Sequence, residues 1–338
     1  MGTDCADDAL GLIGDTPLVR VRVDGFEALG KVEYANPTGS HKDRIYFRMI
    51  NEAEKRGELR PGMTIIEGST GNAGTACAMV GRLKGYRVVI VIPEGMSEER
   101  KKLIRALGAE LLLTPGAESD QDLALRRVEE IVEQNPGQYW YPAQFDNPDN
   151  PLAHYEGTAP ELWRQSGGDV DVLVAAVGSG GVLTGMGRYL RERNPRVRIY
   201  AVEPAECPIL SRGEWGSHDI QGIGDGFLPG NLDLSLIDGV IAVSSADAVE
   251  EARRLCLEQG LIVGISTGCN VSAIRKLLGR HPDPGSVATI LFDSGHKYFT
   301  SPLFGVSSEV VIPDRDHSLD RQSETELARH APHWEIIE

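Results

Sequence analysis

The sequence predicts an α/β protein of two domains, each an open sheet flanked by helices. Two observations carry this prediction. Short apolar runs rich in β-branched residues alternate with helical segments, which is typical of βα units and a parallel sheet. The alternation occurs in two separate stretches, and 338 residues suffice for about two domains of ~150 residues each.

The first stretch runs from residue 63 to about residue 134. A helix is predicted over 97–109, because Ser97 can cap it and Glu98 and Glu99 follow in its first turn. The other elements predicted here are the strands "MTIIE" (63–67), "YRVVIVIP" (86–93) and "ELLLTP" (110–115), and a helix over about 120–134.

The second stretch begins near residue 170, after the Asn- and Pro-rich loop "QFDNPDNP" (144–151) that separates the two units. Its predicted elements are the strands "VDVLVAAVG" (170–178), "VRIYAVEP" (197–204) and "VATILFDSG" (287–295), and helices over 182–192 and about 246–259. The residues from Pro313 onward are polar and charged, and we expect them to be disordered or to form a loosely docked tail.

Composition excludes several classes of protein. The formal net charge of −16 argues against a nucleic-acid partner. The five cysteines include no CxxC pair, which favours a reducing cytoplasm and argues against a structural zinc site. The acidic N-terminus does not resemble a secretory signal, and no apolar run reaches the ~18 residues of a membrane-spanning helix.

The turn "GSTGNAG" (68–74) lies between a predicted strand and a predicted helix. Ser69 and Thr70 carry hydroxyl groups, Gly71 permits close approach to the backbone, and Asn72 adds an amide. The free N–H groups at the start of the helix favour an anion, and a substrate carboxylate is one candidate. A simple helix-capping turn is an equally good interpretation of this segment alone.

The turn "GSGGVLTG" (178–185) also follows a strand and precedes a helix. Glycines at 178, 180 and 181 expose consecutive N–H groups, which suits a phosphate. Leu183 breaks the GxGxxG dinucleotide pattern, yet Glu203 ends the next strand where a ribose-binding acid would lie. A nicotinamide-dependent enzyme therefore remains an alternative.

The segment "DSGHKY" (293–298) follows the last predicted strand. Because adjacent residues of a strand point to opposite faces, Asp293 and Ser294 cannot both face one ligand if the strand continues this far. A helix cap or a plain turn is the alternative interpretation.

Lys42 stands in "NPTGSHKDR" (36–44), a segment with no amphipathic pattern. A lone lysine is usually a solvated surface residue. Beside one candidate phosphate loop and one candidate carboxylate loop, however, it matches the needs of pyridoxal 5′-phosphate, whose aldehyde is held by a lysine as a Schiff base.

These segments together resemble the cysteine synthase family, within the fold-type II pyridoxal-phosphate enzymes that share the fold of the tryptophan synthase β-subunit. The resemblance extends from residue 13 to residue 301. The segments that carry it are "IGDTPLVR" (13–20), "NPTGSHKDRI" (36–45), "GSTGNAG" (68–74), "QFDNPDNP" (144–151), "GSGGVLTG" (178–185), "QGIGDGF" (221–227), "GISTG" (264–268) and "DSGHKYFTS" (293–301).

The resemblance implies a role for each matching residue. Lys42 is expected to form the internal aldimine and to act as the catalytic base, and Ser294 to bond the pyridine nitrogen. The implied cofactor-binding residues are Lys42, Asn72, Gly178, Ser179, Gly180, Gly181, Val182 and Ser294, and the implied substrate-binding residues are Ser69, Thr70, Gly71, Asn72, Gln144 and Gly222. No metal is implied.

The resemblance also implies the reaction and the domain organisation. The expected reaction is β-replacement through an α-aminoacrylate, which forms L-cysteine from O-acetyl-L-serine and sulfide in the cytoplasm. Residues 1–45 and 145–312 are expected to form a large cofactor-binding domain, residues 46–144 a small mobile substrate-binding domain, and residues 313–338 the tail. A homodimer is expected.

Four positions depart from the family pattern, namely His41, Gly68, Ala73 and Val182. The entrance segment "HDIQGIGDGF" (218–227) has no arginine for a phosphate leaving group, so O-acetylserine is favoured over O-phosphoserine, although Arg212 lies nearby in sequence. Asp225 is acidic where acetylserine enzymes often carry a small residue. Cystathionine β-synthase, an O-phosphoserine-dependent cysteine synthase and a serine/threonine β-eliminating enzyme therefore remain alternatives.

Overall fold

A computed structural model describes residues 5–69, 71–116, 120–306 and 318–338. Two sheets form the framework of these residues. Seven strands make one sheet, in the order β1-β2-β10-β7-β8-β9-β11, and four make the other, in the order β5-β4-β3-β6. The strands are β1 Leu18–Val23, β2 Phe26–Val32, β3 Thr64–Gly68, β4 Arg87–Pro93, β5 Glu110–Thr114, β6 Tyr139–Trp140, β7 Val172–Ala176, β8 Arg198–Pro204, β9 Gly239–Val243, β10 Val287–Leu291 and β11 Glu335–Ile337.

Helices cover the faces of both sheets. They are α1 Lys42–Arg56, α2 Asn72–Leu83, α3 Glu98–Ala106, α4 Gln121–Gln134, α5 Asp149–Ala153, α6 Ala159–Gln165, α7 Gly181–Arg193, α8 Ile209–Arg212, α9 Ser245–Gln259, α10 Ile265–Arg280 and α11 Arg321–His330, with one turn of π-helix at His154–Thr158. No helix in the described ranges has the length and apolar character needed to cross a bilayer.

The parallel strands are buried on both faces, which explains their unbroken apolar sequences. Every residue of β7, β9 and β10 is buried, and neighbouring strands β7, β8, β9 and β10 pair in parallel. The βα predictions for both stretches are confirmed to within a few residues. The four-stranded sheet falls inside the predicted small domain, although the domain boundaries themselves stay a prediction.

Three parts of the fold differ from the sequence predictions. Lys42 is the first residue of a 15-residue helix rather than part of an isolated turn. The hairpin β1–β2 adds an antiparallel edge to the large sheet. The C-terminal segment 318–338 is not a loose tail, because it forms α11 and then β11, which pairs in parallel with β9.

A buried ion cluster fixes α1 against the large sheet and α6. The Arg44 guanidinium contacts Glu33 and Glu161, each at 2.7 Å, and the Lys31 ammonium lies 2.7 Å from Glu161. Burial alone would raise the pKa of Glu161, but the bonds and charges of Arg44 and Lys31 lower that pKa to about 2. This cluster positions the start of α1, and with it Lys42.

Candidate active site

A cavity lies where the carboxyl ends of β3, β7 and β10 meet, the usual place for a ligand in an open α/β sheet. The space between the atoms that line it, including the part open to solvent, is ≈ 670 Å³. The residues that line it are His41, Lys42, Asn72, Ala73, Arg100, Gln121, Gln144, Phe145, Ala176, Gly178, Ser179, Gly180, Gly181, Val182, Leu183, Gly222, Ile223, Asp225, Ser266 and Phe292.

Lys42 extends into this cavity and is buried. Its Nζ donates to Gln144 Oε1 at 2.8 Å and to Ser179 Oγ at 3.3 Å. The position at the N-terminus of α1 explains this geometry, since the helix backbone fixes the direction in which the side chain leaves. Lys42, Gln144 and Ser179 were all predicted site residues, and the fold brings them together from three separate segments.

The glycine loop that precedes α7 forms one wall of the cavity. A Cβ atom at Gly181 would lie 1.9 Å from Asn150 Oδ1, and one at Gly178 would lie 2.6 Å from the Gly222 carbonyl oxygen. Gly180 has φ +77°, which a side chain would strain. Only glycine fits these three positions, and no side chain caps the N-terminus of α7, whose first N–H groups have no partner within the helix.

The predicted carboxylate loop reaches the cavity through Asn72. Ser69 is buried and does not line the cavity. Its hydroxyl accepts the Gly71 N–H at 2.9 Å and the Gly74 N–H at 2.6 Å. Gly71 packs against the Arg100 side chain, and Thr70 lies outside the described residues. Direct contact of residues 69–71 with a substrate therefore stays a prediction.

The amide of Asn72 is held at both ends by the segment after β10. Asn72 Nδ2 donates to Asp293 Oδ2 at 2.7 Å, and Lys297 Nζ donates to Asn72 Oδ1 at 2.7 Å. Burial lowers the pKa of Lys297 to about 8, and the Asp293 charge opposes that shift. Asn72 is thus fixed by groups from the opposite side of the cavity.

Ser294 does not line the cavity, and its contact with the cofactor ring stays a prediction that this geometry does not favour. The Ser294 hydroxyl bonds His296 Nδ1 at 2.7 Å in a separate surface groove that Pro37 and Glu99 also line. The alternation of side chains after β10 is the physical reason, because Asp293 points inward and Ser294 outward. Ser266, at the start of α10, is a buried serine that lines the cavity, as Ser179 is.

Burial shifts the pKa values of ionisable groups around Lys42. It raises the pKa of Asp225 to about 6, against the opposing charge of Lys42. It raises the pKa of Glu67 to about 8, although the Tyr46 hydroxyl donates to Glu67 at 2.8 Å. Burial and the Lys42 charge lower the pKa of His41 well below its usual range, so His41 is neutral near pH 7 and packs on Phe292.

Glu203 and Arg212, which the sequence left open, do not reach the cavity. The Glu203 carboxylate accepts the Leu210 N–H at 2.7 Å and the Ser211 N–H at 3.1 Å, so it caps α8 rather than binding a ribose. Arg212 pairs with Glu338 at the surface. This geometry argues against both a nicotinamide site and a phosphate-binding role for Arg212.

Arg100 and Gln121 line the cavity but were not predicted. Arg100 comes from α3, where its Nη2 donates to the Tyr298 hydroxyl at 2.5 Å and its guanidinium stacks on the Tyr298 ring at 4.6 Å. Gln121 is the first residue of α4. Arg100 and Gln121 both stand in polar helical segments, so nothing in the sequence indicated that they line a cavity. Ser266, in contrast, stands in the quoted segment "GISTG".

Comparison with known proteins agrees with this geometry. Residues 9–293 match the family described as "Pyridoxal-phosphate dependent enzyme". The chain belongs to this family. It is 45% identical over 303 residues to cysteine synthase 3 of Caenorhabditis elegans, covering 88% of this chain and 89% of that protein.

Two further relatives extend the comparison. Cysteine synthase A of Escherichia coli K12 is 44% identical over 302 residues, covering 86% of this chain and 93% of that protein. The solved structure of cysteine synthase from Entamoeba histolytica superposes with a TM-score of 0.84 at 34% identity, covering 98% of this chain and 96% of that chain. The protein is therefore a pyridoxal-phosphate-dependent enzyme of fold type II.

The residues around the cavity fit pyridoxal 5′-phosphate. Lys42 supplies a primary amine for an aldehyde, and Ser266 supplies a neutral buried hydroxyl for a pyridine nitrogen. The loop 178–181, in which glycine is required at 178, 180 and 181, supplies a cradle for a phosphate. All three line one cavity, as a single ligand requires.

Proposed function

We propose that this protein is a cysteine synthase that forms L-cysteine and acetate from O-acetyl-L-serine and sulfide by β-replacement. The observation that carries the proposal is the position of Lys42 Nζ, 2.8 Å from Gln144 Oε1 and 3.3 Å from Ser179 Oγ, in the cavity that the glycine loop bounds. The family and the cysteine synthase relatives support the same reaction.

Four groups of this chain would hold the cofactor. Lys42 would bond the aldehyde carbon, the N–H groups at 178–182 the phosphate, Asn72 the ring hydroxyl, and Ser266 the ring nitrogen. A serine at the ring nitrogen is neutral and does not enforce protonation as a carboxylate would. When bound, pyridoxal phosphate supplies the electron sink that lets a proton leave the α-carbon of an amino acid.

Lys42 is also the base that removes the α-proton. Its amine, once released by the incoming amino acid, accepts that proton at Nζ. Gln144 and Ser179 orient Nζ through the bonds described above, and the Gln144 main-chain oxygen is itself fixed by Asn150 Nδ2 at 2.7 Å and Asn231 Nδ2 at 2.8 Å. The buried setting excludes water from the reacting atoms.

The charges around the cavity favour acetate over phosphate as the leaving group. Arg100 is the arginine that lines the cavity among the described residues, and its guanidinium is already bound to Tyr298 and lies 3.7 Å from Asp293. A dianionic phosphate requires a guanidinium free to form two parallel bonds. O-Phospho-L-serine is therefore expected to be the poorer substrate.

Asp225 favours a second candidate function, cystathionine β-synthase. Its carboxylate lines the cavity and would attract the ammonium group of homocysteine, which sulfide lacks. If the enzyme forms cystathionine from homocysteine faster than it forms cysteine from sulfide, cystathionine synthesis is the main activity. Pyruvate or 2-oxobutyrate without added nucleophile would indicate an eliminating enzyme.

The deciding experiment is a product analysis of the enzyme reconstituted with pyridoxal phosphate. O-Acetyl-L-serine with sulfide is expected to give cysteine, and Lys42→Ala is expected to give none. Lys55→Ala is the matched control, since Lys55 lies on the same helix but is exposed and pairs with Glu52. Absence of cysteine from the parent enzyme, or equal activity in Lys42→Ala, would contradict the proposal.

A homodimer and a cytoplasmic location belong to the same proposal. The family resemblance supports the dimer. The five cysteines include no CxxC pair, which supports a reducing compartment. Light scattering on the purified holoenzyme tests the dimer, because a dimer has twice the 36.7 kDa mass of the chain.

A further inference from the structure

Gln121 is a buried amide that faces the cavity without a partner. It is 1% exposed, and neither its Oε1 nor its Nε2 has a hydrogen-bond partner among the described residues. A buried amide in this state costs folding free energy, because it gives up its bonds to water without replacing them. A ligand that bonds the amide would recover this loss.

The position of Gln121 indicates which ligand group it meets. Four residues of the segment 64–140 line the cavity, namely Asn72, Ala73, Arg100 and Gln121. They come from the segment that carries the carboxylate loop, whereas the glycine loop that suits the phosphate comes from residues 178–181. An amino acid bound at the carboxylate loop contacts the segment that carries Gln121, so its β-substituent is the group within reach.

We propose that Gln121 binds the acyl group of the substrate and selects an uncharged, carbonyl-bearing β-substituent; this inference rests on the proposed function. Gln121 Nε2–H donates to the acetyl carbonyl oxygen of O-acetyl-L-serine. As the Cβ–O bond breaks, its electron pair moves to the leaving oxygen and acetate departs with a full negative charge. The hydrogen bond strengthens as that charge develops, so it lowers the barrier rather than only tightening binding.

The choice of a neutral amide agrees with the other charges of the site. Arg100 is engaged with Tyr298, and Asp225 is a carboxyl, so neither offers a free cation to a phosphate ester. An amide donor stabilises a carbonyl oxygen without requiring a charge on the substrate.

The test compares two substrates in the holoenzyme, O-acetyl-L-serine and β-chloro-L-alanine, each with sulfide. Chloride leaves without a carbonyl group, so it cannot use the proposed bond. Gln121→Leu is expected to lower kcat/KM for O-acetyl-L-serine by about 10- to 100-fold, the usual effect of losing a hydrogen bond to a charged group. The same variant is expected to keep kcat/KM for β-chloro-L-alanine within about twofold of the parent value.

Three controls keep a structural effect apart from the proposed one. Gln134→Leu changes an exposed glutamine of the same helix and should leave both substrates unaffected. Gln121→Leu should melt at the same temperature as the parent or higher, because it removes an unpartnered amide. Gln121→Glu should lose more activity toward O-acetyl-L-serine than Gln121→Leu, because a carboxylate repels the departing acetate.

The outcomes separate the two proposals. An equal loss with both substrates, or no loss with either, would overturn the role of Gln121 while leaving the cysteine synthase proposal in place. If the parent enzyme forms cysteine from neither substrate, both proposals fail.

Discussion

Replacing Gly180 by alanine tests whether the glycine loop is built to leave its N–H groups open. Gly180 has φ +77°, and its Cβ atom would lie 2.8 Å from the Leu232 backbone nitrogen. The left-handed conformation costs a non-glycine residue about 1–2 kcal/mol. Relief of the contact with backbone adds a similar amount, since overpacking costs about 1–3 kcal/mol.

The total is about 2–5 kcal/mol, and every 1.4 kcal/mol is a tenfold change in an equilibrium constant, so we expect the loop to move to relieve this cost. We therefore expect Gly180→Ala to weaken pyridoxal phosphate binding by at least about tenfold. The assay is a titration of the apoprotein with the cofactor, followed by visible absorbance, with a thermal melt of each sample.

Gly57→Ala is the matched control for this experiment. Gly57 has φ +71°, no atom lies within 4 Å of its Cβ position, and it ends α1 far along the helix from Lys42. The control should lose stability by about 1 kcal/mol and keep its affinity for the cofactor. Unchanged cofactor affinity in Gly180→Ala, or an equal decrease in both variants, would contradict the proposed need for glycine at position 180.

Three further predictions concern the site and its support. Ser266→Ala should change the visible absorbance maximum of the holoenzyme and lower kcat by about 2- to 10-fold, since a hydrogen bond between neutral groups contributes about 0.5–1.5 kcal/mol. Ser294→Ala should change neither, and the opposite result would favour Ser294 as the ring partner. Because burial raises the pKa of Asp225 to about 6, the apoprotein should lose stability as pH rises from about 4 through 6. Thermal melts of Asp225→Asn should lack that loss. The pKa of Glu161 is lowered to about 2, so Glu161→Gln should be less stable than the parent near pH 7. The difference in stability should disappear as the pH falls toward 2. A difference that does not depend on pH would contradict the role of the ion pair.

Most of the parallel strands of both sheets could be predicted from the sequence, because each of these buried strands is a short apolar run that can be recognised by itself. Strands such as Val172–Ala176 are apolar throughout, and a glycine turn after them marks the strand end. The hairpin Leu18–Val23 and Phe26–Val32 was missed although the sequence carries its signal. The strands contain alternating polar and apolar residues, and Asp24 and Gly25, both at positive φ, form the two-residue turn between them. The C-terminal strand escaped because its stability comes from pairing with Gly239–Val243, nearly 100 residues earlier in the chain.

The site divides in the same way. The glycine loop could be proposed from its own residues, which suit a phosphate. Lys42 could be proposed only beside the two candidate loops and through the family resemblance. Ser294 and Ser266 both stand in segments that resemble the family, and only the fold shows that Ser266, at the start of α10, lines the cavity while Ser294 lines the surface groove. Gln121 gave no signal, since a glutamine at the start of a helix is ordinarily exposed.

The most direct test of the central claim is borohydride reduction of the holoenzyme followed by peptide mass mapping. Reduction fixes the cofactor to the lysine that holds it. We expect a phosphopyridoxyl group on the peptide that contains Lys42, and no labelling in Lys42→Ala. Labelling at Lys297 instead, the other buried lysine near Asn72, would contradict it.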